Sequence, residues 1–132
     1  MLSRTVRKFL QEPRVARLAT IGRDGYPHVV TIWFMRDGDD IVFACERGDR
    51  KVKNALANAK AAAVIGGDPA ADDAGYMFQG DLSVEDDADL VMSRRIVYRY
   101  HTKKRGDEFL AEYASNEPVI LRLTPTSVIR VW

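Results

Sequence analysis

Four cations crowd the stretch Arg47-Gly48-Asp49-Arg50-Lys51-Val52-Lys53-Asn54, namely Arg47, Arg50, Lys51 and Lys53. They fall where an alternating apolar run gives way to helical spacing, with Val52, Ala55, Leu56 and Ala59 on one stripe. A helix starting there adds unpaired backbone N–H groups and the positive end of its dipole to the cationic side chains. Phosphate suits such a convergence, since arginine offers a planar fork and lysine a point charge. Asp49 stands at the N-cap position, where it is structurally useful but weakens anion binding somewhat. Basic helix starts also occur on solvated surfaces, so on the residues alone both readings stand.

The remaining chemistry is sparse. His28 and His101 are the only histidines, and neither belongs to a Ser-His-Asp constellation or a nucleophile elbow. His28 reads as a strand residue facing solvent or a neighbour, and His101 as a surface residue in a basic stretch. Cys45 is the single cysteine, which excludes an intramolecular disulfide and a multi-cysteine zinc site. Its strand position makes it a small core or pocket-wall residue rather than a reactive thiol. Residues 68–89 hold eight carboxylates and no lysine or arginine, without the ligand spacing of a calcium loop. Residues 94–105 are opposite in sign, with Arg94, Arg95, Arg99, Lys103, Lys104 and Arg105. That block reads as a solvated helix face, with anion binding as the sharper alternative.

The elements that must position these groups follow from periodicity and turn chemistry. Leu2, Val6, Phe9 and Leu10 recur at helical spacing before Pro13, which predicts a helix over residues 3–11. Arg14 to Ile21, His28 to Met35 and Asp40 to Glu46 read as three strands joined at Asp24-Gly25 and Asp37-Gly38, an antiparallel meander. A helix over residues 50–60 and a strand from Ala61 to Ile65 come next. The acidic loop 68–74 is the segment expected to be disordered. Tyr76 to Val84 reads as a strand in which Gly80 marks a bulge or a close backbone approach. Helices are expected from Asp86 to about Tyr100 and from Gly106 to Tyr113. Pro118 to Leu123 and Ser127 to Trp132 close the chain as two strands punctuated by Pro125.

This order predicts a mainly β domain with helical insertions, one domain over residues 1–132. A barrel would remove the edges such strands expose. Hydrophobic residues at 46% and charged residues at 30% place the chain among folded globular proteins rather than disordered ones. A formal net charge of +1 gives no general attraction to nucleic acid or an anionic membrane. No apolar run approaches the roughly 20 residues that span a bilayer, and the N-terminal residues lack a signal-peptide core. A cytoplasmic protein is the expectation.

The run Arg17-Leu18-Ala19-Thr20-Ile21-Gly22-Arg23-Asp24-Gly25-Tyr26-Pro27-His28 resembles the first hairpin of the pyridoxamine-phosphate-oxidase-like, flavin-binding family. Further motifs follow in the family's order: Trp33-Phe34, then Asp49-Arg50-Lys51 with Asn54, then Phe78-Gln79-Gly80, then Arg122-Leu123-Thr124-Pro125 and the final Trp132. The resemblance covers nearly the whole chain, and the ordered set is more specific than any one motif. It implies a six- to seven-stranded antiparallel split β-barrel that dimerises, with two cofactor grooves at the interface. Arg50 and Lys51 would then hold the cofactor phosphate. Val30, Thr31, Ile32 and Trp33 would line the ring through backbone groups, and Ala44 and Cys45 would flank the ribityl chain or phosphate.

The implied function is a flavin- or deazaflavin-dependent oxidoreductase passing hydride to a small reducible molecule, the cofactor carrying the chemistry. A non-catalytic flavin-binding or sequestering protein would use the same residues. Departures narrow the reading. Val30 and Met35 stand where true pyridoxamine-phosphate oxidases have arginine and lysine, and their C-terminal substrate motif is not recognisable around Leu121 to Trp132. The vitamin substrate is therefore not expected. FMN and coenzyme F-420 (8-hydroxy-5-deazaflavin) both occur among proteins of this type. The deazaflavin is slightly preferred, because Arg47, Lys53 and the basic block 94–105 could meet its acidic tail.

Overall fold

Both Asp-Gly turns form, with Gly25 at φ +83° and Gly38 at φ +63°, a conformation that glycine adopts without strain. What lies between them departs from the meander. In the structure, a computed structural model describing residues 1–132, the return strand is cut in two at Trp33-Phe34. Strand β1 (Ala16–Ile21) pairs with β2 (Pro27–Ile32), and β3 (Met35–Asp37) pairs with β4 (Asp40–Glu46). The two hairpins lie at opposite edges of one antiparallel sheet of order β2-β1-β5-β6-β7-β4-β3. Its middle is β5 (Lys60–Gly66), β6 (Gly75–Asp86) and β7 (Pro118–Arg130). Two residues thus carry the chain from one edge to the other, which requires the sheet to curl without closing.

The inner face of that curl holds the core. Leu18, Phe43, Phe78, Leu121 and Leu123 are fully buried there. Helix α1 (Arg4–Phe9) closes one end with Leu2, Val6 and Leu10, and helix α2 (Arg50–Ala57) adds Val52 and Ala55. Buried Asn54 donates from Nδ2 to Thr20 Oγ1 at 3.0 Å, docking α2 onto β1 through a satisfied polar pair. Helices α3 (Val91–Tyr100) and α4 (Lys103–Tyr113) are inserted between β6 and β7. They cover the outer face at the β4 end, where Met35, Val42, Ile96 and Ile120 form a second apolar cluster.

Four boundaries differ from expectation, each for a local reason. Helix α4 starts at Lys103 rather than Gly106, because the Thr102 side chain caps it by accepting the Arg105 N–H. Residues 86–90 are not helical. Asp87 instead accepts N–H bonds from Met92 at 3.3 Å and Ser93 at 2.9 Å, so its carboxylate satisfies the orphan donors of the α3 start. The loop 68–74 is ordered: Asp72 is paired with Arg14 at 2.7 Å and accepts the Asp68 N–H at 3.0 Å. The closing strands are one 13-residue strand, because Pro125 sits opposite the β6 irregularity at Gln79/Gly80, where no ladder bond is needed. A side chain at Gly80 would collide with the Thr124 carbonyl oxygen. No helix is long and apolar enough to cross a membrane.

Gly80→Ala should therefore lower stability by about 1–3 kcal/mol in urea unfolding, since the ladder must shift to admit the methyl group. Gly48→Ala, where nothing lies within 4 Å of the added carbon, should change it by less than about 0.5 kcal/mol.

Candidate functional site

A cavity of about 350 Å³ opens where the β2–β3 break meets the helical insertion. It is lined by Val15, Thr31, Ile32, Trp33 and Ala44 from the sheet, and by Val97, Phe109 and Tyr113 from α3 and α4. Seven of the eight lining residues are hydrophobic, so the space favours a flat apolar body over a solvated ion. One wall is an aromatic stack. Trp33 lies parallel to Tyr100 at 5.3 Å, edge-on to His101 at 4.7 Å and tilted to Phe109 at 5.5 Å, and Phe109 stacks on Tyr113 at 5.5 Å.

Four of the residues expected in the site, Thr31, Ile32, Trp33 and Ala44, are brought together here. Two others turn away. Val30 alternates onto the inner face of β2 and packs against the main core. Cys45 is 2% exposed within that core, and its carbonyl accepts the Tyr113 hydroxyl. Burial pushes the Cys45 thiol up to about 12, with the Lys51 charge opposing only in part. The same desolvation keeps the Tyr113 hydroxyl protonated as a donor. His101 is not a free surface residue but packs on Trp33. Tyr100, His101, Phe109 and Tyr113 did not enter the expected site. Their signal is helical spacing, Val97-Tyr100 on α3 and Phe109-Tyr113 on α4, inside a stretch dominated by charge.

Arg50 and Lys51 lie beyond the cavity, at the start of α2. Strand β4 connects the two places: Ala44 lines the cavity and Glu46, on the same face, lines a smaller groove that shares Phe109 and Tyr113 with it. Asp49 occupies the N-cap position, yet its side chain does not cap the helix. It accepts the Glu46 N–H at 3.0 Å and the Lys51 ammonium at 3.0 Å. Arg47 is paired with Asp86. Arg50 and Lys53 make no ion pair or side-chain hydrogen bond, and both are exposed. The positive helix end therefore presents Arg50 foremost, with Lys51 held beside it.

Residues 2–131 match the family model described as pyridoxamine 5'-phosphate oxidase. Among solved structures, an F420 reductase superposes with a TM-score of 0.77 at 25% identity, covering 93% of this chain and 94% of the other. A conserved hypothetical protein from Mycobacterium tuberculosis gives 0.75 at 20% identity, over 98% and 84% of the two chains. The heme storage protein HutZ from Vibrio cholerae gives 0.71 at 17%, over 98% and 94%. At these last two identities the likeness is one of fold. None of the curated proteins matches this sequence.

With its thiol shifted to about 12, Cys45 should be about one part in ten thousand thiolate near pH 8. Iodoacetamide at that pH should leave the folded protein unmodified and alkylate it on unfolding, read by intact-mass spectrometry.

Proposed function

The chain belongs to the pyridoxamine 5'-phosphate oxidase family, and we propose that it is an oxidoreductase holding a flavin-type cofactor in the aromatic cavity, with coenzyme F-420 preferred over FMN. The observation that carries this reading is the continuity of two unlike surfaces. An apolar cavity walled by aromatic rings takes Ala44 of β4 into its lining, and the chain runs on from β4 to the start of α2, where Arg50 is a cation without an ion pair. A tricyclic ring bearing a phosphate is a molecule with that distribution of polarity. The cavity of about 350 Å³ falls within the ~300–1,000 Å³ typical of small-molecule sites, towards the small end. The bound cofactor would accept or deliver hydride, and a small reducible molecule would be its partner. The chain's own residues orient the ring against Trp33 and the β2 backbone, exclude water with Val97, Phe109 and Tyr113, and hold the phosphate with Arg50 and Lys51. The 25%-identical F420 reductase supports the deazaflavin over FMN.

A second copy of the chain would complete the site. The outer face of β2, β1, β5, β6 and the end of β7 is bare of helices. Register sets Thr31, Arg17, Val64, Met77 and Ile129 in one row, and Val29, Ala19, Ala62, Gln79 and Ser127 in the next. Val29 is 60% exposed and Ile129 43%. Apolar patches of this kind mark interfaces, and Thr31 belongs both to this face and to the cavity. Phe34 is fully buried and takes no part in such a face, while Trp132 remains half exposed.

Titration of the purified apo-protein with F-420 and with FMN, followed by fluorescence, tests the reading. Tight FMN binding without measurable F-420 binding overturns the preference, and binding of neither overturns the function. Arg50→Ala and Lys51→Ala should each weaken binding about ten- to a hundred-fold, the loss of one charge-assisted contact, while Lys53→Ala should change it less than about threefold. Residues 51 and 53 are about 200° apart on the helix and cannot face one phosphate. Sedimentation should give a dimer at micromolar concentration, and Val29→Asp should produce a monomer with weakened cofactor binding.

A further inference from the structure

On the far side of α3 from the aromatic cavity lies a second recess, of about 410 Å³, lined by Leu10, Gln11, Met35, Arg36, Arg95 and Arg99. Three of its six lining residues are arginines and none is acidic. Arg95 and Arg99 are four apart on α3, about 40° around the helix, so they share one face, whereas Val97 is about 200° from Arg95 and faces the cavity. Trp33 lines the cavity, while Met35 and Arg36, just past the strand break, line the recess. The Trp33-Phe34 corner and α3 form the partition between the two spaces.

None of the three guanidinium groups has a carboxylate partner, although Arg7, Arg14, Arg47, Lys51, Lys103 and Arg122 all do. Arg36 donates only to the Gly38 carbonyl, and Arg95 only to the Met92 sulfur. Arg99 is held firmly. Its Nη atoms donate to the Leu10, Gln11 and Glu12 carbonyls at 3.3–3.4 Å, and its guanidinium lies 5.3 Å from the centroid of the Phe34 ring. Its Nε is buried without a hydrogen-bond partner. Like charges at i and i+4 repel, and a third arginine facing them adds to that cost. A chain with 19 acidic residues places none of them in the lining. An arrangement that is repulsive by itself, with one arginine already fixed, is relieved by an oxyanion that accepts from planar forks on several sides.

We propose that Arg36, Arg95 and Arg99 form a binding site for a multiply charged oxyanion, a phosphate or a cluster of carboxylates, separate from the α2 helix start; its free-ion form stands without the cofactor reading, and its tethered form rests on it. The site takes the anion either as a free ion or as the acidic group of a larger molecule reaching across the Trp33-Phe34 corner.

Calorimetric titration of the cofactor-free protein with pyrophosphate and with citrate, at low and high salt, tests the site. Saturable binding of at least one probe is expected, weakened about tenfold or more by Arg95→Ala and by Arg36→Ala, and by raised salt. Arg94→Ala, the neighbouring exposed arginine outside the recess, should leave it unchanged. Circular dichroism melts confirm that each variant is folded. Arg95 and Arg36 are replaced separately, so a folding failure in one leaves the other to decide. Binding of a small free probe identifies a site for a free ion. Binding only of a ring-linked anion, with the same dependence on Arg95, identifies the tethered case. No binding of either kind up to about 10 mM, or equal losses from Arg94→Ala and Arg95→Ala, overturns the proposal.

Discussion

The Tyr100 hydroxyl holds together the place where the sheet changes edges. It donates to the Arg14 carbonyl at 2.6 Å, ahead of β1, and accepts the Phe34 N–H at 3.2 Å, inside the β2–β3 break. Where a strand leaves its ladder, buried N–H and C=O groups lose their partners, and each left unsatisfied costs about 1–3 kcal/mol. One phenol from α3 meets that need on two segments at once. Burial raises its titration range, against smaller opposing effects of the Phe34 bond and the Arg99 charge, so the donor stays protonated. Were residues 28–37 to continue as one strand, the β3–β4 hairpin could not reach the far edge. The sheet would then be a plain meander, and the cavity beside Trp33 would not exist.

Because this contact comes from the helical insertion, α3 and α4 are part of the site. Their approach to each other is close enough that a side-chain carbon at Gly106 would lie 2.6 Å from the Tyr98 ring. Leu90, Val97, Leu110 and Tyr113 then pack as a small cluster of their own against Trp33 and Ala44. The insertion is thus anchored twice, through its apolar cluster and through Tyr100. Phe109 stays 39% exposed at the cavity mouth, supported from below by Tyr113.

Much of this was legible in the residues. Asp-Gly turns, alternating strands and the Gly80 irregularity follow from local chemistry, which short-range sterics decide; the α2 stripe holds at Val52 and Ala55, while Leu56 is exposed and Ala59 lies past the helix end. The strand break did not, because Val29 to Met35 is β-prone throughout, and propensity carries no information about which neighbour a strand pairs with. Pro125 misled for the opposite reason. A residue that cannot donate to a ladder is harmless opposite a bulge, and only the register between β6 and β7 places it there. The aromatic wall was hidden by composition: Arg94, Arg95, Arg99, Lys103, Lys104 and Arg105 announce a solvated face, while Val97 and Tyr100 between them, with Phe109 beyond, make the face that meets the cavity and Trp33.

Asp49 illustrates how a residue that looks unfavourable for a function can be neutral towards it. Set beside a supposed phosphate site, a bare carboxylate would repel the ligand through the same weakly screened surroundings that strengthen attraction. Here it is not bare. It accepts the Glu46 N–H and the Lys51 ammonium, with side-chain exposures of 30% for Asp49 and 17% for Lys51. The pair is close to neutral, it satisfies a backbone donor at the β4–α2 turn, and it restricts a lysine that would otherwise be mobile. The electrostatic character of the helix start then falls to Arg50 and to the backbone dipole. A neutral serine in place of Asp49 would free the Lys51 charge but lose the restraint on its position. This chain has more order and less charge at that corner, and Arg50, at the first helical position, keeps a charge with no carboxylate partner.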